Sequence, residues 1–150
     1  MAVELSLGAE FFSLKTPYLS EGRSNTLLAR TDFLRLTVKV YAEGGENALH
    51  THSKEDHAFI VLEGEATFHD IESNKTVVSQ NQGVMLPAGA YYFFQSTGTT
   101  NLVLLRVSAG TGSGPGQGSR LGPDGNSLPA FSKENNHVDG VPIPGKFFAG

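Results

Sequence analysis

Apolar and polar positions alternate along most of the chain up to Ser108. From 33 to 41, Leu34, Leu36, Val38 and Val40 share one parity and Arg35, Thr37 and Lys39 the other. A period of two predicts a strand with one apolar face and one polar face, and the polar face is expected to border a pocket. Short apolar runs at 27–30, 48–52, 57–62, 65–70, 75–79, 83–86, 91–95 and 101–107 predict further strands, and no segment shows convincing helical periodicity. So many short strands predict an all-β barrel or sandwich.

Turn chemistry separates these runs. Glu43-Gly44-Gly45, Glu63-Gly64-Glu65, Glu72-Ser73-Asn74, Asn81-Gln82-Gly83 and Pro87-Ala88-Gly89 supply residues that tolerate tight backbone geometry, so most connections are expected to be hairpins. Beyond Ser108 the composition changes: 10 of the 18 Gly and 5 of the 7 Pro lie between Ala109 and Gly150. Two regions follow, a barrel over 1–108 that includes N-terminal strands and a long irregular Gly/Pro-rich tail over 109–150. Leu128, Phe131, Val141, Ile143, Phe147 and Phe148 are the tail's available anchors onto the barrel or a neighbouring subunit.

At 150 residues and 16.0 kDa the chain has room for one core. Lys and Arg number 11 against 15 Asp and Glu, so no basic surplus exists to neutralise a nucleic-acid backbone. With no cysteine, any metal must be held by nitrogen or oxygen. The start Met1-Ala2-Val3-Glu4-Leu5 lacks a signal-peptide pattern, and no apolar run approaches a membrane span, so a cytoplasmic location and no membrane partner are expected.

Three of the five histidines fall in His50-Thr51-His52-Ser53-Lys54-Glu55-Asp56-His57. His50 and His52 sit two apart, so on a strand both rings point to one face. A turn after His52 that returns the chain antiparallel would bring His57 opposite that pair. Neutral imidazole suits zinc, iron, nickel and copper, and three such ligands leave positions free for water, oxygen or substrate. His69 and His137 stand alone and receive no metal role.

The histidines lie in a glycine frame, Gly45-x4-His50-x-His52-x4-His57-x6-Gly64, followed by Gly83-x3-Pro87-x-Gly89-x2-Tyr92-x3-Ser96. Over residues 44 to 96 this resembles the two motifs of the cupin superfamily, G-x5-H-x-H-x3,4-E-x6-G and G-x5-P-x-G-x2-H-x3-N. The resemblance implies a double-stranded β-helix, a small jelly-roll barrel with a metal held inside. Two positions depart from the family. Its motif-one glutamate position holds His57, or Asp56 at the shorter spacing, and its motif-two histidine position holds Tyr92. His50, His52, His57 and Tyr92 are therefore the expected ligands of one divalent transition metal, iron, zinc, nickel, manganese or copper, with Gln95 ranked behind Tyr92.

Around that ion, Tyr92, Glu55 and Asp56 are the candidates for a general base, because each carries a titratable oxygen beside a proposed ligand. Arg35, Lys39 and Arg106 are the candidates for binding an anionic substrate, and Phe94, with its neighbours Tyr91 and Phe93, for stacking on a planar one. The resemblance implies a metal-dependent enzyme acting on a small oxygenated organic molecule, foremost a dioxygenase-type oxidoreductase. Two alternatives stay open: a non-redox zinc isomerase, lyase or cyclase, and a non-catalytic binding barrel with a degenerate metal site. A homodimer is expected.

Overall fold

The computed structural model describes residues 8–110, 120–129 and 137–150. Its strands are β1 (Thr16–Glu21), β2 (Arg23–Arg30), β3 (Leu34–Tyr41), β4 (Gly45–His52), β5 (Glu55–Glu63), β6 (Glu65–Asp70), β7 (Lys75–Ser79), β8 (Gly83–Leu86), β9 (Tyr92–Ser96), β10 (Leu102–Gly110), β11 (Arg120–Leu121) and β12 (Val141–Phe148). One five-stranded sheet runs β2-β3-β10-β5-β8, the other β11-β4-β9-β6-β7, and β1 and β12 form a separate ribbon. All the strand pairings are antiparallel. No helix among the described residues is long and apolar enough to cross a membrane.

Alternation along the strands aims the larger core between the two five-stranded sheets. Tyr41, Phe59, Val61, Phe68, Tyr92, Phe94, Leu102 and Leu104 meet there, with Phe68 and Phe94 stacked at a ring separation of 4.9 Å. A second core lies on the outer face of the first sheet, where Leu19 packs with Val38, Val40 and Val103. β3 is therefore buried on both faces from Thr37 to Tyr41. Its apolar residues Val38 and Val40 turn away from the barrel interior, and the parity of Arg35, Thr37 and Lys39, shared with the core residue Tyr41, turns inward, as expected of a pocket-bordering face.

Two of the framing glycines have steric reasons. Gly64 joins β5 to β6 at a φ of +84°, and a Cβ there would stand 2.6 Å from the carbonyl oxygen of Asn101. Gly45 opens β4 so close to β9 that a Cβ would stand 2.1 Å from the carbonyl oxygen of Phe94.

Three local expectations change. The segment before Arg23 forms β1, whose partner β12 comes from the far end of the chain, a pairing that no local pattern encodes. Within the Gly/Pro-rich tail, Arg120–Leu121 also adds to the second sheet beside β4. β4 and β5 do not form a hairpin: only Ser53 and Lys54 separate them, and they lie in opposite sheets. Of the tail's anchors, Phe148 packs on the second core, Val141 and Phe147 are largely exposed, and Phe131 lies outside the described residues.

Candidate metal centre

The crossing from one sheet to the other brings the histidines together. His50 and His52 project from β4 and His57 from β5, and all three are buried. The rings of His52 and His57 stack at 4.0 Å, and those of His50 and His52 meet edge-on at 5.2 Å. Alternation also turns Glu55 inward beside His57, its Oε2 lying 3.8 Å from His57 Nε2. One donor atom each from His52, Glu55 and His57 lie within 4.8 Å of one another.

Hydrogen bonding leaves these imidazoles incomplete. His57 Nδ1 and Nε2, His52 Nδ1 and His50 Nε2 are buried without a hydrogen-bond partner. His50 Nδ1 lies 2.7 Å from the carbonyl oxygen of Ala48, so it donates its proton there and leaves the Nε2 lone pair free. Burial pushes the His50 ring down to about 4 and the His52 ring to about 2, with the charges of neighbouring cations adding to the effect, and it lowers His57 as well. All three rings are neutral at neutral pH, the form that binds a metal.

Behind the histidines lies a buried ion cluster that the sequence did not announce. Glu46 accepts hydrogen bonds from Lys39 Nζ at 2.7 Å, from Arg120 Nη2 at 3.0 Å and from the Tyr41 hydroxyl at 3.4 Å. Burial alone would raise its carboxyl, but Lys39, His50 and Arg120 outweigh burial and hold it well below the usual carboxylate range. Lys39 is lowered to about 8, chiefly by burial, and stays charged at neutral pH. Arg120 also donates Nη1 to the carbonyl of Leu128, and its backbone pairs with that of His52.

Several sequence-derived assignments change with this geometry. Asp56 faces outward and accepts a hydrogen bond from the backbone N–H of Ala88, so it is neither ligand nor base; Glu55 holds the inner position instead. Tyr92 is buried with its ring 4.4 Å from that of His50, and burial pushes its phenol well above its ordinary value, so that it is neutral in the metal-free barrel. Phe94 is locked in the aromatic core and Lys39 is committed to Glu46, so neither is open to substrate. Gln95 donates to Asn47 on the exterior. His69 stacks on Phe93 and His137 contacts Asp139, both away from the centre.

Residues 37–108 match the family model described as Cupin domain. They form a cupin barrel. No curated protein matches the chain in sequence. Among solved structures, a conserved double-stranded β-helix protein from Klebsiella pneumoniae aligns with a TM-score of 0.60 at 20% identity, covering 71% of this chain and 95% of that one. KdgF from Halomonas sp. aligns at 0.58 and 19% identity, covering 68% and 94%. An oxalate oxidase bound to the substrate analogue glycolate aligns at 0.52 and 19% identity, covering 63% of this chain and 54% of that one. At such identities the likeness is one of fold.

Within the cupin barrel the donor set fits a divalent transition metal. The rings of His50, His52 and His57 are neutral, each keeps at least one buried nitrogen without a hydrogen-bond partner, and a carboxylate stands among them. The motif spacing offers His57 or Asp56 and leaves Glu55 as a candidate base; the alternation of β5 is what turns Glu55 in among the donors. Ser108 and Arg120 carry no local signal at all, since each reaches the interior through long-range strand pairing.

Proposed function

We propose that this cupin is a metal-dependent dioxygenase-type oxidoreductase acting on a small oxygenated organic substrate. One observation carries the reading: His52, Glu55 and His57 form a two-histidine, one-carboxylate set, with His50 Nε2 alongside as a further donor. Two histidines and a carboxylate on one face are the donor pattern of non-haem iron(II) oxygenases. A metal held there would supply open positions at which substrate and dioxygen meet.

The chain's own residues do the rest. His50 is oriented by the Ala48 carbonyl, and Glu55 balances part of the metal's charge. The aromatic wall of Phe59, Phe68 and Tyr92 keeps one side of the centre dry. We also propose a homodimer, supported by exposed Phe33 and Leu34 at the end of the β2–β3 hairpin; light scattering of the intact chain tests it.

Elemental analysis of protein purified without an affinity tag, together with oxygen uptake, tests the enzymatic reading. Iron near one equivalent and substrate-dependent oxygen consumption are expected. Stoichiometric zinc with no oxygen uptake would replace it with a non-redox reaction, and the absence of metal after loading would leave a binding barrel.

A further inference from the structure

The inner face of the first sheet carries two guanidiniums, Arg35 and Arg106, that form no ion pair among the described residues. β10 runs between β3 and β5, and its register sets Ser108 beside Arg35 on one side and His57 on the other. Arg106 lies two residues along the same face, between Thr37 and Phe59. The row Arg35, Ser108, His57 thus leads straight to the metal centre.

Several buried polar atoms along that row have no hydrogen-bond partner. Ser108 is 1% exposed and its Oγ has none, and the Nε atoms of Arg35 and Arg106 are buried without one. Neither guanidinium has an ion pair among the described residues, whereas Arg120 is met by Glu46. A crowded lysine can relieve its charge by losing a proton, but arginine cannot. An anionic ligand would supply the counter-charge that the described residues do not.

We infer that Arg35, Arg106 and Ser108 form a carboxylate subsite, so that the substrate is an organic acid bearing an oxygen function next to its carboxylate. The inference rests on the metal-centre reading, because it is His57 that fixes where the adjacent oxygen must lie. The two guanidiniums donate to the carboxylate and the Ser108 hydroxyl donates to one of its oxygens. Neighbouring side chains in a row stand about 5 Å apart, so an oxygen on the next carbon reaches the histidines. Glu55, paired with Gly110 one row further on, offsets one of the two positive charges, which favours a monoanion over a phosphate dianion.

The test uses the full chain loaded with iron(II) under anaerobic conditions. Ligand-observed NMR measures binding of 2-hydroxy and 2-oxo carboxylates, their neutral amides, and inorganic phosphate, with metal content determined on the same samples. At least one acid is expected to bind about tenfold more tightly than its amide, with phosphate weaker than that acid. Arg106→Gln and Arg35→Gln should each shrink the acid-to-amide ratio below about threefold, and Ser108→Ala should lower it by a smaller factor. A ratio can be read on any variant that stays folded, so a loss of stability alone does not imitate the result. The subsite is overturned if no acid outbinds its amide, if both arginine variants keep the wild-type ratio, or if phosphate binds as tightly. Wild-type protein that fails to load metal but shows an arginine-dependent preference for acids would overturn the metal centre and leave the subsite standing.

Discussion

Arg120 closes an ion pair with Glu46 from 74 positions downstream, Nη2 to Oε2 at 3.0 Å, inside a barrel that Lys39 has already entered to claim the other oxygen. Removing one member of a buried ion cluster costs more than the pair contributes, because the remaining charge stays desolvated. Arg120→Ala leaves Glu46 with Lys39, so a loss of about 2–3 kcal/mol is expected. Glu46→Ala strands two cations and should cost about 3–5 kcal/mol. Urea unfolding of the two variants checks the order, and equal losses would contradict it. Because β11 pairs with β4 at His52, Arg120→Ala should also weaken metal binding several-fold.

Glu55 and Asp56 are adjacent in sequence and opposite in orientation. Glu55→Gln removes an anionic donor from the centre and should lower metal affinity about 10–100-fold. Asp56→Asn alters only an exterior contact to the Ala88 N–H and should leave affinity within about twofold. Competition with a chelator measures both. If Asp56→Asn proved the more damaging, β5 would have to run with the other parity inward.

Much of this could be read from the chain because the information was local. The alternation in β3 gave both its faces, and the glycine frame located β4, β5 and β8. His50, His52 and His57 were recognisable from their spacing taken together with the glycine frame around them. What escaped was set by pairing over long distances. β12 reads as irregular because Pro142, Pro144 and Gly145 break its pattern, yet β1 holds it as a strand. Arg120 follows a glycine run that resembles a linker, and nothing near it announces a buried carboxylate. Glu55 was legible in parity but not in motif spacing, and Tyr92 was legible in position but not in the burial that keeps its phenol neutral.

Acid should unfold the metal-free barrel through its histidines. The folded state holds His50 at about 4 and His52 at about 2, while in the unfolded chain both titrate near 6.5. Above 6.5 neither state binds these protons, and the rings add no pH dependence. Below 6.5 the unfolded chain binds more protons than the folded one, so stability falls as the pH falls, and the His50 contribution levels off below about 4. Between pH 6.5 and 5 each ring should cost about 2 kcal/mol. Urea midpoints of chelator-treated protein at pH 7 and pH 5 check this, and His52→Asn should reduce the difference while leaving the part due to His50. A higher midpoint at pH 5 would contradict it. Bound metal should be released over the same range, because protonated imidazole cannot donate.

The ribbon offers a control that separates stability from chemistry. Leu19 is fully buried against Val38, Val40 and Val103 on the outer face of the first sheet, with the β10 backbone between it and the subsite row. Leu19→Ala removes apolar packing and leaves a cavity, at an expected cost of about 2–5 kcal/mol. It touches no donor, so metal stoichiometry and the preference for acids over amides should stay at the wild-type level while the urea midpoint drops. If metal were lost in step with stability, the ribbon would be holding the geometry of the centre as well as covering its sheet, and β1 and β12 would belong to the functional unit.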